Sequence, residues 1–449
     1  MSLFSLYFYA LFIVVLGISV LLIKLMTNNK TLQNTVLIVS SLIFIAFASW
    51  KCVIVILFAS LITWLCGRVK SKVIQYIGIA LLIAVLVFYK IADAKNLNII
   101  IPIGISFFTF NAFSYLADVS KNETERKGFF EILLYLSFFP RLTSGPLQKA
   151  SDFFNQIEKE RKINKDNLST GIQIYFLGLF KKLVFADRLS VFVNEVYATP
   201  NAFSGAPIWL AIISYSLLIY FDFSGYSDMA IGTGKMLGFD LPVNFNMPYL
   251  SQNVTEFWRR WHISLSTWIR NYIYIPLGGN RKGKFRQNLN LLIAMTLCGL
   301  WHGATINFVL WGFIHGIALL VHKQYLRIKK TGNDNQNPVL RIISIFLTFL
   351  FISLTWVLFR AENISEALLI FKRMFTFAVG LNQPYFWSFI VLAVTLIASI
   401  VFVIRNNGNA FYPCLNLKKY THLTLFFVFI GLLFALCCTN GSPFIYGAF

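Results

Sequence analysis

The chain has 449 residues, 57% of them hydrophobic and only 13% charged, and carries a formal net charge of +21. That balance excludes a water-soluble globule of this size, and several apolar runs reach the roughly 18–20 residues a helix needs to cross a bilayer. The basic residues sit in short loops between those runs, so the charge reports membrane topology and contact with lipid rather than a nucleic-acid surface.

In chain order, residues 3–25 read as a first span, too long for a signal-peptide core and without a basic flank before it. A second run reaches Trp50, a third (53–65) ends at Arg68, Lys70 and Lys72, and a fourth (74–89) leads to the sparsely charged 92–98. Basic and near-neutral loops alternate, which places the N-terminus outside and 24–34 in the cytoplasm. Pro102 and Gly104 predict a kink or broken end at the start of 99–119, and the charged loop 121–127 is cytoplasmic. Residues 129–139 are too few to span and predict a re-entrant or interfacial piece. The polar stretch 141–167 predicts a cytoplasmic loop with a short surface helix over 153–161.

Within 172–193 the charges Lys181, Lys182, Asp187 and Arg188 interrupt an apolar helix and must face protein or water, so this helix is expected to border a polar cavity. Residues 207–223 span again. Pro242, Pro248, Pro276 and Gly278-Gly279 break 239–288 into short pieces. There Trp258, Trp261, Trp268 and Tyr272 alternate with Arg259, Arg260 and Arg270, the pattern of an interfacial amphipathic helix. Runs at 289–301, 306–321, 340–359, 386–403 and 423–438 complete roughly eleven spans or half-spans of an all-α polytopic membrane protein. The six cysteines lie mostly in apolar runs, without paired metal spacing, and read as buried thiols.

Polar chemistry concentrates between Tyr220 and His322. Between Glu256 and Asp334 fall eleven Lys or Arg and no acid. His302 is the leading candidate: a helix from Leu289 rises only about 20 Å by that residue, which leaves an imidazole inside the membrane. Intramembrane titratable groups are usually functional, and the competing reading is a packed histidine bonded to one carbonyl. Gly303 allows close backbone approach, and Trp301 offers a stacking wall. His262 lies among Arg and Trp and is weaker alone; His315, His322 and His422 read as structural. No carboxylate stands at ligand spacing to the histidines, so no metal is expected. Asp222 and Asp228 follow a span and are expected to order the core together with Tyr226, although their spacing argues against a shared-proton pair. Arg259, Arg260, Arg270 and Arg281 form a donor-side basic patch, suited to anionic headgroups or to a phosphate-bearing acyl donor.

These residues resemble the membrane-bound O-acyltransferase (MBOAT) family, in the branch of the alginate O-acetyltransferase membrane subunit and its peptidoglycan and polysaccharide relatives. The resemblance is carried by 97–119 (with IPIGISFFTF), FPRLTSGP (139–146), YFDFSGYSDMAIG (220–232), EFWRRWHISLSTWIRNYIYIPLGGNRKG (256–283) and GLWHGA (299–304), with weaker matches at WVLFRA (356–361) and the terminal 443–449. It implies one transmembrane domain (1–449): N-terminal helices (1–128), a catalytic core (129–338) and C-terminal helices (339–449) around a central tunnel. It also implies that His302 and His262 are the family's two histidines, in a multi-pass protein of the inner (plasma) membrane. No tightly bound cofactor is expected. An acyl thioester, acetyl-CoA or an acyl carrier, arrives from the cytoplasm, and a glycan acceptor waits outside, with a place for a periplasmic SGNH-type partner protein. A neutral histidine is the base that ester formation from a hydroxyl requires. Oxyanion donors are sought in backbone N–H groups around Gly303 or in the Tyr226 hydroxyl. Teichoic-acid-type D-alanyl transfer is the nearest alternative, and a transporter or flippase without acyl chemistry the alternative from another class.

Overall fold

The computed structural model describes residues 6–26, 28–95, 97, 99–203, 205–328, 337–376, 386–406 and 415–438. Cys414 and the 443–449 match lie outside them. The described residues form helices and the segments that connect them, with no strand among them. The first four helices are α1 (Leu6–Leu25), α2 (Lys30–Ala48), α3 (Trp50–Arg68) and α4 (Lys72–Ala94). Then come α5 (Ile105–Ser120), α6 (Phe129–Ser137), α7 (Ala150–Ile157), α8 (Lys165–Phe180), α9 (Asp187–Ala198) and the long α10 (Ala206–Met236). Two short helices, α11 (Val254–Arg260) and α12 (Ile263–Ile269), precede α13 (Gly283–His302), α14 (Ile306–Ile328), α15 (Pro338–Arg360), α16 (Ile364–Arg373), α17 (Phe386–Asn406) and α18 (Tyr420–Leu436). Among the described residues six helices are long and apolar enough to cross a membrane: α2, α3, α4 over Lys72–Asp93, α10, α14 and α15.

The broken start expected at Pro102 and Gly104 is present. The chain is irregular to Gly104, which takes φ 71° as the cap of α5 and would drive a side chain into the Leu142 carbonyl. Helix α6 has nine residues, with Ile132 to Ser137 buried, as a re-entrant piece requires. Arg141, expected in a cytoplasmic loop, is instead 3% exposed. Its guanidinium donates to the Tyr135 carbonyl and lies 4.8 and 4.7 Å from the Tyr135 and Phe153 ring centres.

One end of the bundle gathers the basic loops. The α1–α2 turn meets the stretch after α7 through Asn28 N–H to Glu160 and Arg161 to Asn34. Lys127 pairs with Glu158, and the Tyr272 hydroxyl donates to Asp118 at 2.9 Å. This basic end is the one that the charge rule expects on the cytoplasmic side. At the opposite end Arg360 donates to Asn194, and Asn307 donates to the Ala361 carbonyl.

Helix α10 is the central pillar. Asp222 and Asp228 do not follow a span, as expected, but lie inside this single 31-residue helix. Opposite them the chain between α8 and α9 widens into a π-helical turn, Lys181–Ala186. That turn presents adjacent lysines to two acids six residues apart. Lys182 Nζ stands 2.7 Å from Asp222 and 2.9 Å from Asp187, and Lys181 Nζ stands 2.6 Å from Asp228. Arg188 is used as well, donating to the Leu436 and Cys437 carbonyls and lying over the Trp387 ring. The charges expected to border a polar cavity are therefore neutralised within the protein, the only inexpensive arrangement away from water.

Above and below these pairs the two backbones nearly touch. A Cβ on Gly171 would lie 2.6 Å from the Gly232 carbonyl oxygen, and one on Gly178 would strike that of Gly225. The small residues let α8 close on α10 as membrane helices do.

Two expected outcomes follow from this seam. Gly232→Val forces backbone apart and should destabilise by about 1–3 kcal/mol or more, read as a lower melting temperature in detergent. Gly17→Ala, with nothing within 4 Å, should melt as the wild type does. Lys182→Met removes the cation shared by Asp187 and Asp222 and should destabilise by about 3–5 kcal/mol. Adding Asp222→Asn to that variant should restore part of the loss, and melting curves of the single and double variants decide it.

Candidate active site

His262 stands at the cap between α11 and α12 with φ 42° and ψ 55°, a left-handed conformation that costs a non-glycine residue about 1–2 kcal/mol. Two backbone bonds hold it there: Ile263 N–H to the Asn244 carbonyl and Asn246 N–H to the Arg260 carbonyl, both 2.9 Å. The buried Asn244 Oδ1 accepts from Ser264 N–H (3.2 Å) and from the Ser264 hydroxyl (2.7 Å), and lies 3.3 Å from His262 Nδ1. An oxygen that already accepts two hydrogen bonds fixes the tautomer: Nδ1 carries the proton and donates, so the lone pair resides on Nε2. The ring packs edge-on to Phe223 of α10, with centroids 4.6 Å apart.

The Trp/Arg pattern of this stretch is not an interfacial helix. Helices α11 and α12 have seven residues each and turn into the bundle, burying Trp258, Trp261 and Trp268. The indoles alternate because they meet helices on both sides; Trp261 packs on Trp356 of α15 and Trp268 stacks on Phe110 of α5 at 4.2 Å.

His302 is the last residue of α13, 2% exposed, about 30 Å along the helix from the basic end. Its depth depends on a close α13–α14 crossing, where a Cβ on Gly299 would meet the Phe308 carbonyl and one on Gly312 the Met295 carbonyl. Gly303 is approached by the Phe308 ring rather than by backbone. The imidazole is boxed by Trp301 at 4.5 Å, Phe359 at 5.0 Å and Trp311 at 5.4 Å between ring centres. His262 and Lys90 of α4 both lie near enough to be felt electrostatically at His302.

Trp301 Nε1, Trp311 Nε1 and Asn307 Oδ1, all buried in this region, have no hydrogen-bond partner among the described residues. Two N–H donors without acceptors in an apolar box are costly to the fold, of the order of 1–3 kcal/mol each. Sequence reasoning missed Trp311, Asn307 and Lys90. An aromatic at a helical spacing reads as core, and a lysine near a span end reads as topology.

The remaining candidates are placed as follows. Tyr226 is hydrogen-bonded to Thr143, which ties α10 to the 139–148 loop. Of the basic patch, Arg259, Arg270 and Arg281 are exposed. Arg260 instead pairs with Glu256 at 2.8 Å and donates to the Asn246 carbonyl. His315 is fully used: Trp258 Nε1 donates to its Nδ1 (3.3 Å), which leaves Nε2–H to donate to Thr355 (3.0 Å).

A cavity of about 510 Å³ opens beside His262 at the basic end, with Gln148, Lys149, Asp240, Ser264, Trp268 and Tyr272 among its walls. Its size lies in the range of small-molecule sites. From that wall an aromatic series leads inward: Trp268 to Phe110, Phe110 to Trp301 at 5.3 Å, and Trp301 to His302.

Comparison with known proteins identifies the family. The membrane-bound O-acyltransferase family, MBOAT, matches residues 83–361. A probable alginate O-acetylase of Pseudomonas putida is 36% identical over 379 residues, covering 78% of this chain and 76% of that protein. A peptidoglycan O-acetyltransferase of Helicobacter pylori is 38% identical over 315 residues, 64% of this chain and 58% of the relative. A teichoic acid D-alanyltransferase of Streptococcus thermophilus is more distant, 28% identical over 64% of this chain and 76% of its own. The matched region contains α10, His262, the 510 Å³ cavity and His302, and the chain belongs to the membrane-bound O-acyltransferase family as a membrane O-acyltransferase.

Proposed function

We propose that this enzyme moves an acetyl group from a cytoplasmic thioester to a hydroxyl of an extracytoplasmic polysaccharide, or to a partner that completes the transfer, with His302 as general base. The observation that carries the reading is the placement of His302 far from the basic end, joined to the cavity beside His262 by one series of aromatic walls. The thioester, borne by coenzyme A or an acyl carrier, enters that cavity as substrate, and no tightly bound cofactor takes part. Arg259, Arg270 and Arg281 attract its phosphates, while Arg260 serves the fold. The acceptor reaches His302 through the exposed loop 304–306. Acetyl is preferred over D-alanyl because the more similar relatives are named for acetyl transfer.

In the reaction the imidazole of His302 takes the proton of the acceptor hydroxyl as its oxygen attacks the thioester carbonyl. The C–O bond forms, the C–S bond breaks, and the thiolate leaves to be protonated. The Trp301 and Trp311 N–H groups are the donors for the oxyanion, since both lie beside the imidazole without a partner among the described residues. His262, its Nε2 lone pair fixed by Asn244, orients the thioester end. The domain is a single tunnel-bearing bundle of roughly eleven spans in the inner membrane, with 129–338 as catalytic core and 1–128 and 339–449 as flanks. A periplasmic SGNH-type protein is the partner that would complete transfer.

With purified enzyme and a labelled acetyl thioester, His302→Ala should lower transfer by about 10²–10⁴-fold while melting and membrane insertion stay near wild type. His262→Ala should give a smaller loss. Unchanged transfer in His302→Ala would remove the general-base assignment, and no transfer by the wild type would favour a transporter. Sidedness is read with an impermeant maleimide on intact cells, against the unmodified chain as baseline. Lys284→Cys should be protected and Ala202→Cys labelled; the reverse would overturn the orientation and the opposite approach of donor and acceptor.

A further inference from the structure

A second cavity, about 370 Å³, lies at the basic end between the α3–α4 turn and the C-terminal end of α5, away from both histidines. We propose that it binds the headgroup of an anionic phospholipid of the cytoplasmic leaflet, one bearing a free hydroxyl, as phosphatidylglycerol does. Lys70, Lys72 and Arg126 line it. None of the three has a carboxylate partner among the described residues, while the nearby acids are engaged elsewhere: Glu125 with Lys127 at 2.8 Å and Glu123 with Lys149 at 3.8 Å. The start of α4 also faces this space. Ser71 caps that 23-residue helix without a side-chain hydrogen bond, and the first-turn N–H groups have no intrahelical acceptor, so backbone dipole and side-chain charge favour the same anion.

The opposite wall does not oppose it. The last carbonyls of α5 are closed by backbone bonds from Asn122 N–H to Val119 and from Glu123 N–H to Asp118, with Asn122 at φ 58°. Topology alone accounts for basic residues on this loop, but it does not require a cavity there or the buried amide that lines it. Gln75 is 1% exposed. Its Nε2 donates to the Val69 carbonyl at 3.0 Å, and its Oε1 is buried without a partner among the described residues. An ionised phosphodiester has no proton for that oxygen; a headgroup hydroxyl can donate to it. Beside the cavity Val69, Val73 and Tyr76 are 41%, 68% and 55% exposed, an apolar face for the acyl chains of the same molecule. A basic pocket between helices at the cytoplasmic surface, next to a lipid-facing stripe, is the geometry of headgroup recognition.

The test uses the full chain in detergent, with retained lipid read by native mass spectrometry and stability by thermal melting. The probes are phosphatidylglycerol, phosphatidylcholine, phosphatidylmethanol (equal charge, no headgroup hydroxyl), inorganic phosphate and coenzyme A. Phosphatidylglycerol should be retained and raise the melting temperature most. Arg126→Gln and Lys72→Gln, which leave the other loop charges to set topology, should each weaken it about tenfold. Gln75→Met should erase the preference over phosphatidylmethanol. Equal retention of phosphatidylcholine, or unchanged binding in both charge variants, overturns the site. Displacement of phosphatidylglycerol by inorganic phosphate or coenzyme A overturns the lipid assignment in favour of a free anion or the donor itself.

Discussion

The structure depends on one constraint: charges placed where no water reaches must be neutralised by the chain itself. Lys181 and Lys182 meet that constraint on α10, and the geometry they need shapes everything around them. Two adjacent lysines can address acids six residues apart only if their own helix is locally widened, hence the π-turn at 181–186. Ion pairs of this kind rarely add net stability over an apolar core. What they supply is register. A one-residue slip of α8 on α10 would separate every lysine from its acid and move the facing glycines off their opposing carbonyls. With α10 fixed, Phe223 and Ser227 present a defined wall to His262 and Asn244.

The two histidines are held by different means. His302 is set by packing: glycines bring α13 against α14, and a box of Trp301, Trp311, Phe308 and Phe359 surrounds the ring. His262 is located by hydrogen bonds at a strained residue, with Asn244 accepting from three directions. An imidazole at a helix end, walled by aromatic rings, is placed for proton transfer. A hydrogen-bonded, tautomer-fixed imidazole suits orientation. That contrast supports different roles for the pair, base and positioner, rather than a shared relay.

Much of this was legible in the residues. Apolar runs and basic loops gave the membrane class and the common face of the α1–α2 turn, the 121–127 loop and α7, because hydropathy and charge act locally. His302 stood out because an imidazole deep in an apolar run is expensive, whereas His262, among Arg and Trp, drew notice mainly through the family resemblance. What could not be read came from partners distant in sequence. Arg141 looks like a loop residue until Tyr135 and Phe153 are seen on its two faces. The Trp/Arg alternation of 258–270 has the same period whether the indoles meet headgroups or helices, so an inward hairpin was read as an interfacial helix. Asp222 and Asp228 seemed to follow a span because their charge ends the apolar count, although Lys181 and Lys182 cancel that charge within the fold.

The same cancellation explains where chemistry can occur. Along α10 each buried charge is paired, and His315 has both ring nitrogens occupied by Trp258 and Thr355. Buried charges on the pillar are thus met within the fold. Around His302, Trp301 Nε1, Trp311 Nε1 and Asn307 Oδ1 are left to be met by something other than the described residues. The two indole donors are retained at a cost in stability, and that cost is intelligible if a substrate's developing charge meets them in the transition state. On the proposed reading, the cavity beside His262 and the exposed loop beside His302 are two approaches to these donors.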